Sequence, residues 1–293
     1  MKMKINKIVA TLLVVLTVVL FPHTSASKDS GTETIILTKS NLLILTGEVN
    51  GESTSNVIAK AKQLDDSLNS GKGRLFPNKL PMYLFLNTPG GSIQSGLELI
   101  EALEGIGRPV NTVTLFAASM GFQIAQNLGD RLILKNGVLM SHHAAGEIGG
   151  SFGGVHPSQL DSRYQLWLDR VRELDEQAVK RTNGKQTYDS YIQAYDHELW
   201  LTGTKSVAQG YADRVVLVKC DSSLSGVTSN HIQFMGIDVA YDLDNCPLNT
   251  SPLNIRLSTL DGKPLNNEIA AKIKAEFMSG FNNKQRQVLP MVF

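Results

Sequence analysis

The sequence predicts an α/β fold on a mainly parallel sheet, and three observations predict it. Apolar strand-like runs alternate with stretches of helical spacing several times between residues 42 and 140. Glycine punctuates the connections, at Gly47, Gly90-Gly91, Gly105 and Gly107. The chain, 293 residues with 42% hydrophobic content, is also long enough to bury a full core. Strand followed by helix, repeated, implies parallel strands with crossovers, because each helix must cover a sheet face.

The elements follow in order. Lys2, Lys4 and Lys7 precede the apolar run Ile8 to Phe21, and Pro22-His23-Thr24-Ser25-Ala26 ends in small residues, the pattern of an export signal cleaved near Ala26. The run is shorter than the roughly 20 residues that span a bilayer, so a retained membrane anchor is the weaker reading. Residues 1–26 are therefore set apart from the fold. Leu42 to Leu45 reads as a short strand, and Val57, Ile58, Ala61, Leu64 and Leu68 fall at helical spacing. Met82 to Leu86 is a buried strand broken by Thr88-Pro89-Gly90-Gly91, and Ile93, Leu97, Ile100 and Leu103 form a helical stripe. Val110 to Phe116 is the next strand and Met120 to Leu128 the next helix; Leu132–Leu134 and Val138–Met140 are two further strands.

"GEIGGSFGG", from Gly146 to Gly154, is a glycine-rich loop, after which a long helix starts near Pro157-Ser158 and ends near Asn183-Gly184. Its stripe of Leu160, Tyr164, Trp167, Leu168, Val171, Leu174 and Val179 suits either packing within the chain or contact with another subunit. Beyond Cys220 the pattern weakens to a tail of unknown role, residues 221–293, with one helix expected from Asn267 to Phe277. The folded domain is thus expected over 33–220.

A net charge of +1 provides no field for nucleic acid or an anionic membrane. Cys220 and Cys246 form one disulfide in an oxidising compartment or remain two free thiols; spacing alone does not choose. No metal or cofactor is expected.

The chemistry centres on Ser119, at a strand-to-helix turn among Ala117, Ala118 and Gly121. The setting is like a G-x-S-x-G elbow with alanine for the first glycine, although a serine there also suits a helix cap. A serine nucleophile needs a base, a group to orient that base, and donors for the developing oxyanion. Backbone N–H groups of Met120 and of Gly90 or Gly91 are candidate donors. His142 and His143 follow a strand, and alternation sends them to opposite faces, so at most one meets the serine. Asp189, Asp196 and Glu198 are candidate orienting acids.

"LILTGEVN", "LFLNTPGGSIQSG", "AASMG", "VLMSHHA" and "DHELWLTGTKSVAQGYAD", in this order, resemble the Clp protease proteolytic subunit family over roughly Asn41 to Leu217. The resemblance implies a ClpP/crotonase-like fold of repeated β-β-α units with a projecting, handle-like helix. It also implies a serine peptidase assembled into rings. It assigns Ser119 as nucleophile and His142 as base, leaves out His143, and places the oxyanion donors at Gly90 and Met120. The acid departs from the pattern: the usual position, six residues before Trp200, is Ala194, which cannot orient a histidine. Phage-type relatives end in a pattern similar to Asp196-His197-Glu198-Leu199-Trp200-Leu201-Thr202, which points to Asp196, with Glu198 second.

Together these readings give an exported endopeptidase, periplasmic or secreted, that hydrolyses peptides or unfolded proteins through a Ser-His-Asp triad. It is expected to form a homo-oligomeric ring. An ATP-driven unfoldase is not an expected partner, given the export signal and the lack of a G-x-x-x-x-G-K-[ST] motif in the chain itself. Two alternatives accompany this reading. A signal-peptide-peptidase-like enzyme would use a serine–lysine dyad, but no lysine lies between Lys135 and Lys180, so Lys180 or Lys185 would have to serve. A non-catalytic scaffold or peptide-binding ring would keep the glycine turn without the chemistry.

Overall fold

The computed structural model describes residues 32–70, 80–144, 157–249 and 252–286. The export signal and the "GEIGGSFGG" loop lie outside them. Among the described residues no helix is long and apolar enough to cross a membrane.

Strands β1 (Thr34–Leu37) and β2 (Leu42–Thr46) lead into helix α1 (Gly51–Ser70). Then β3 (Met82–Thr88), α2 (Ile93–Gly105), β4 (Val110–Ala118) and α3 (Met120–Asn127) alternate as the periodicity predicts, followed by the long β5 (Arg131–Ser141). Helices α4 (Pro157–Lys180) and α5 (Tyr188–Tyr195), strand β6 (Leu199–Thr202), helix α6 (Gly203–Gln209) and strand β7 (Arg214–Cys220) complete the core. The order in the seven-stranded sheet is β1-β7-β5-β4-β3-β2, with β6 added to β5. All pairings are parallel except β5 with β6. The α/β expectation and its ClpP-like, mainly parallel sheet hold.

The two strands read at Leu132–Leu134 and Val138–Met140 are one strand. Opposite β4 its register shifts between Thr114 and Phe116, and Lys135 and Asn136 sit exposed in the middle. That polar break looked like a loop in the sequence but is a bulge, at which Gly137 lies too close to the Thr114 carbonyl for a Cβ, 2.6 Å away. Strand β1 carries only four residues and pairs with β7, a partner about 180 positions away that local pattern cannot reveal.

Core side chains on one sheet face, among them Leu84, Leu86, Leu99, Leu103, Phe122 and Tyr191, fill the space under α1, α2 and α3. On α4 the apolar stripe divides. Leu174 and Ala178 are buried, whereas Tyr164 and Leu166 in the first half are exposed, and Tyr164 stacks on Trp167. The tail folds as a three-stranded antiparallel sheet, β8 (Val227–Phe234), β9 (Ile237–Asp244) and β10 (Leu253–Ser258), with helix α7 (Asn267–Arg286). Phe277 of α7 packs against Phe234 and Tyr241. Cys220 and Cys246 are joined in a disulfide that ties this sheet to the end of β7.

A part-buried ion pair locks the base of the sheet. Arg131, at the start of β5, is 3% exposed and binds both carboxylate oxygens of Asp213. It also donates to Gln126 of α3 and to the Arg181 carbonyl just past α4. Burial would raise the Asp213 carboxyl, but bonds and charge from Arg131, with the charge of Arg181, hold it below its ordinary value of 3.8. A depressed carboxylate pKa means a contribution fully present above that value and lost as pH falls through the depressed one. Asp213→Ala leaves Arg131 buried and unpaired, so denaturant melting at neutral pH should show a loss of about 3–5 kcal/mol. The gap to the unsubstituted protein should narrow in acid, where its own Asp213 protonates.

Candidate active site

Parallel packing brings the ends of β3, β4 and β5 to one edge: Thr88 pairs with Ala117, and Ala118 with Met140. The turns that follow carry Gly90-Gly91, Ser119 and His142, at the carboxyl edge where open α/β sheets place their ligands.

Ser119 adopts φ 53° and ψ −121°, outside the favoured regions for a residue with a Cβ. Its side chain makes no cap hydrogen bond, which removes the helix-cap reading and leaves the hydroxyl for other work. Such a conformation costs on the order of 1–3 kcal/mol and persists only where its surroundings enforce it. Here the Ser119 amide donates to the Met140 carbonyl at 2.9 Å, and the Ser119 carbonyl accepts from the Gln123 amide at 3.3 Å.

The second constraint is Gly90, at φ +92°. A Cβ there would lie 2.6 Å from the Ala118 carbonyl oxygen, 2.6 Å from the Ser119 Cβ and 2.8 Å from the Met120 nitrogen. Glycine is thus required because two backbones touch. The Gly90 N–H, expected as an oxyanion donor, is already donated to Thr88 Oγ1 at 3.0 Å. Gly91 instead faces the cavity beside Ser119, and its N–H has no acceptor among the described residues. The Met120 N–H, at the first position of α3, belongs to the helix amides that have no intrahelical acceptor. Among the described residues the N–H groups of Gly91 and Met120, rather than that of Gly90, are thus left without a protein acceptor at this edge.

Gly91, Ser119, Met120, Ser141, His142 and Asp175 are among the residues that line a cavity of about 60 Å³. His142 and His143 part company as alternation predicts. His142 is half-buried on the cavity wall; His143 is exposed, edge-on to the Tyr195 ring at 4.5 Å.

A Clp protease family model matches residues 27–219. The chain belongs to the Clp protease family. A protein of Streptococcus gordonii named "ATP-dependent Clp protease proteolytic subunit" is 30% identical over 183 residues, covering 61% of this chain and 86% of the relative. Proteins of the same name from Streptococcus pyogenes and Streptococcus equi are each 28% identical over the same coverage. Membership makes the chain a serine-type peptidase, a hydrolase.

Within this Clp-family site the acids are distributed unexpectedly. Asp196, expected to orient His142, places Oδ1 2.7 Å from His143 Nε2. The reason is register: β6 runs antiparallel to β5 with Leu199 opposite Ser141, so continuing outward brings residue 143 opposite 197, beside Asp196. Both groups are more than half exposed, so the pair contributes little, about 0–1 kcal/mol. Glu198 sits at φ 64° and accepts from Trp200 Nε1 at 3.0 Å, and Asp189 is exposed on the first turn of α5. Lys180 is exposed at the end of α4, and Lys185 donates to the Val207 carbonyl, so neither lysine of the dyad reading lines the cavity. Among the described residues no group of three His, Cys, Asp or Glu side chains is placed to hold a metal.

The acid at the cavity is Asp175, which sequence reasoning passed over. It lies 4% exposed on α4 and accepts from Tyr195 at 2.8 Å, Gln123 at 3.1 Å and Tyr191 at 3.3 Å. Burial pushes its carboxyl above the ordinary value, against the downward pull of those three donors and of His143. Burial likewise raises the Tyr191 and Tyr195 phenols, so both remain protonated donors. One signal was present: Asp175 is four residues after Val171 and four before Val179, a charge inside the apolar stripe.

Gly90→Ala should destabilise the protein by about 2 kcal/mol or more, through an L residue at positive φ and an overpacked contact. Reaction of Ser119 with an active-site phosphonate should slow by about 100-fold, as expected when a reacting group shifts by about 1 Å. Melting and labelling rate, measured on the same sample, check both.

Proposed function

We propose that this Clp-family chain is an exported, ATP-independent serine endopeptidase that cleaves peptides or unfolded proteins through an acyl-enzyme. The observation that carries the reading is a serine held in a strained turn with its hydroxyl released from capping, sharing one small cavity with His142. His142 takes the Ser119 Oγ proton as Oγ attacks the peptide carbonyl. Gly91 and Met120 N–H groups hold the oxyanion, and the imidazolium returns the proton to the leaving amine. Water then attacks the ester by the same route. An aspartate completes the triad.

Export is supported by the lysine-flanked apolar run ahead of residue 26, and independence from ATP by that same signal, since export would separate the chain from a cytosolic ATP-driven unfoldase. Assembly into a ring is supported by the exposed Tyr164 and Leu166 on α4, an apolar surface suited to another subunit.

The test is labelling of the full chain with a fluorophosphonate probe. Ser119→Ala and His142→Ala should abolish labelling, a loss of several orders of magnitude being typical for triad members. His143→Ala and Lys180→Ala should label like the unsubstituted chain. Loss on Lys180→Ala with retention on His142→Ala would establish the serine–lysine dyad, and an unreactive parent chain would establish the scaffold.

A further inference from the structure

We propose that Asp175 on α4, rather than Asp196, is the positioning acid of this site, holding the His142 imidazole and stabilising the imidazolium that forms when Ser119 gives up its proton. The proposal rests on the peptidase reading of Ser119 and His142. Four observations lead to it.

The first is place. Asp175 lines the same cavity as Ser119 and His142, and about 60 Å³ is the volume of roughly two water molecules. The nucleophile, the base and this acid therefore border the same small space.

The second is valence. A carboxylate offers about four lone-pair sites. Among the described residues Oδ1 of Asp175 receives Gln123 Nε2 and Tyr191 Oη, while Oδ2 receives Tyr195 Oη alone. One site on Oδ2 remains for an imidazole N–H.

The third is charge. A buried carboxylate is costly unless it is paired, and among the described residues no lysine or arginine hydrogen-bonds Asp175. Hydroxyl and amide donors hold its position but carry no charge, and His143, which does act on it through charge, is more than half exposed and hydrogen-bonds Asp196 instead. An imidazolium on His142 supplies a compensating charge during the step at which catalysis requires an anion beside it.

The fourth is rigidity. Gln123 stands one turn after Ser119 on α3, and Tyr191 bonds Ser141 Oγ, next to His142 in the chain, at 2.7 Å. The groups that fix the acid thus belong to the elements that carry nucleophile and base, the arrangement preorganisation demands. Asp196 and Glu198 have no such anchoring and are engaged elsewhere, with His143 and Trp200. Protons balance as in any such triad: the Oγ proton moves to one ring nitrogen, the other N–H stays bonded to Asp175, and Asp175 remains ionised throughout.

The experiment measures the second-order rate of fluorophosphonate labelling on the full chain, with a thermal melt of each variant. Asp175→Asn should slow labelling by about 10²- to 10⁴-fold, the range for a triad acid, whereas Asp196→Asn and Glu198→Gln should remain within about 5-fold. Asp175→Glu keeps the carboxylate and should recover part of the labelling that Asp175→Asn loses, an outcome that a merely structural role, disturbed more by the longer side chain than by the isosteric amide, would not give. Should Asp175→Asn fail to fold, Tyr195→Phe serves instead: it removes the donor on Oδ2, keeps the charge, and should slow labelling about 10- to 150-fold, one hydrogen bond to a charged group being at stake. Normal labelling of Asp175→Asn, or of Tyr195→Phe in its place, or collapse on Asp196→Asn, would overturn the proposal while leaving the peptidase reading intact. A parent chain that does not label would remove both.

Discussion

Two chain reversals meet without room for a side chain between them, and the rest of the site depends on that contact. Gly90 presses on Ala118, Ser119 and Met120 from the end of the neighbouring strand, so the two turns are fixed against each other by backbone alone. The serine can then occupy a conformation that its own Cβ disfavours. Its amide is tied to β5, its carbonyl to α3, and the residue lines the cavity with its hydroxyl free of a cap bond. The strain is stored where a rigid parallel sheet surrounds it, the setting in which local strain persists.

Behind this contact lies a polar network inside an apolar core. Ser141, Tyr191, Asp175, Tyr195 and Gln123 join β5, α5, α4 and α3 through hydrogen bonds that are mostly shielded from water. Such networks are expensive when incomplete and rigid when satisfied. A carboxylate in their midst is costly unless its hydrogen bonds are supplied, as Gln123, Tyr191 and Tyr195 supply them here. The exposed pair of His143 and Asp196, by contrast, is open to water on both sides and orders little beyond itself.

Much of this was legible in the residues. The strand–helix alternation, the glycine turn, Ser119 and the parting of His142 from His143 all express local rules of period and turn chemistry, which a sequence carries openly. What stayed hidden depends on distance or register. The pairing of β1 with β7 joins ends of the chain, and the bulge in β5 looked like a loop because its exposed Lys135-Asn136 is polar. Whether Gly90 or Gly91 offers its amide turns on one hydrogen bond to Thr88. The pairing of Asp196 with His143 follows from an antiparallel register set three residues away. The place of Asp175 on the cavity wall was the most accessible of these, since a charge on a buried helical stripe is visible in the spacing alone.

The disulfide sits at a telling place. The family match ends at residue 219, and Cys220 is the next residue. The added sheet is therefore attached twice at its near edge, once by the backbone and once through Cys246, so it meets the core as a doubly tethered guest at high effective concentration. A guest held in this way needs few contacts of its own to stay docked. Its surface is thereby freed from the demands of affinity, and sequence there can drift while the staple keeps the added sheet beside the peptidase.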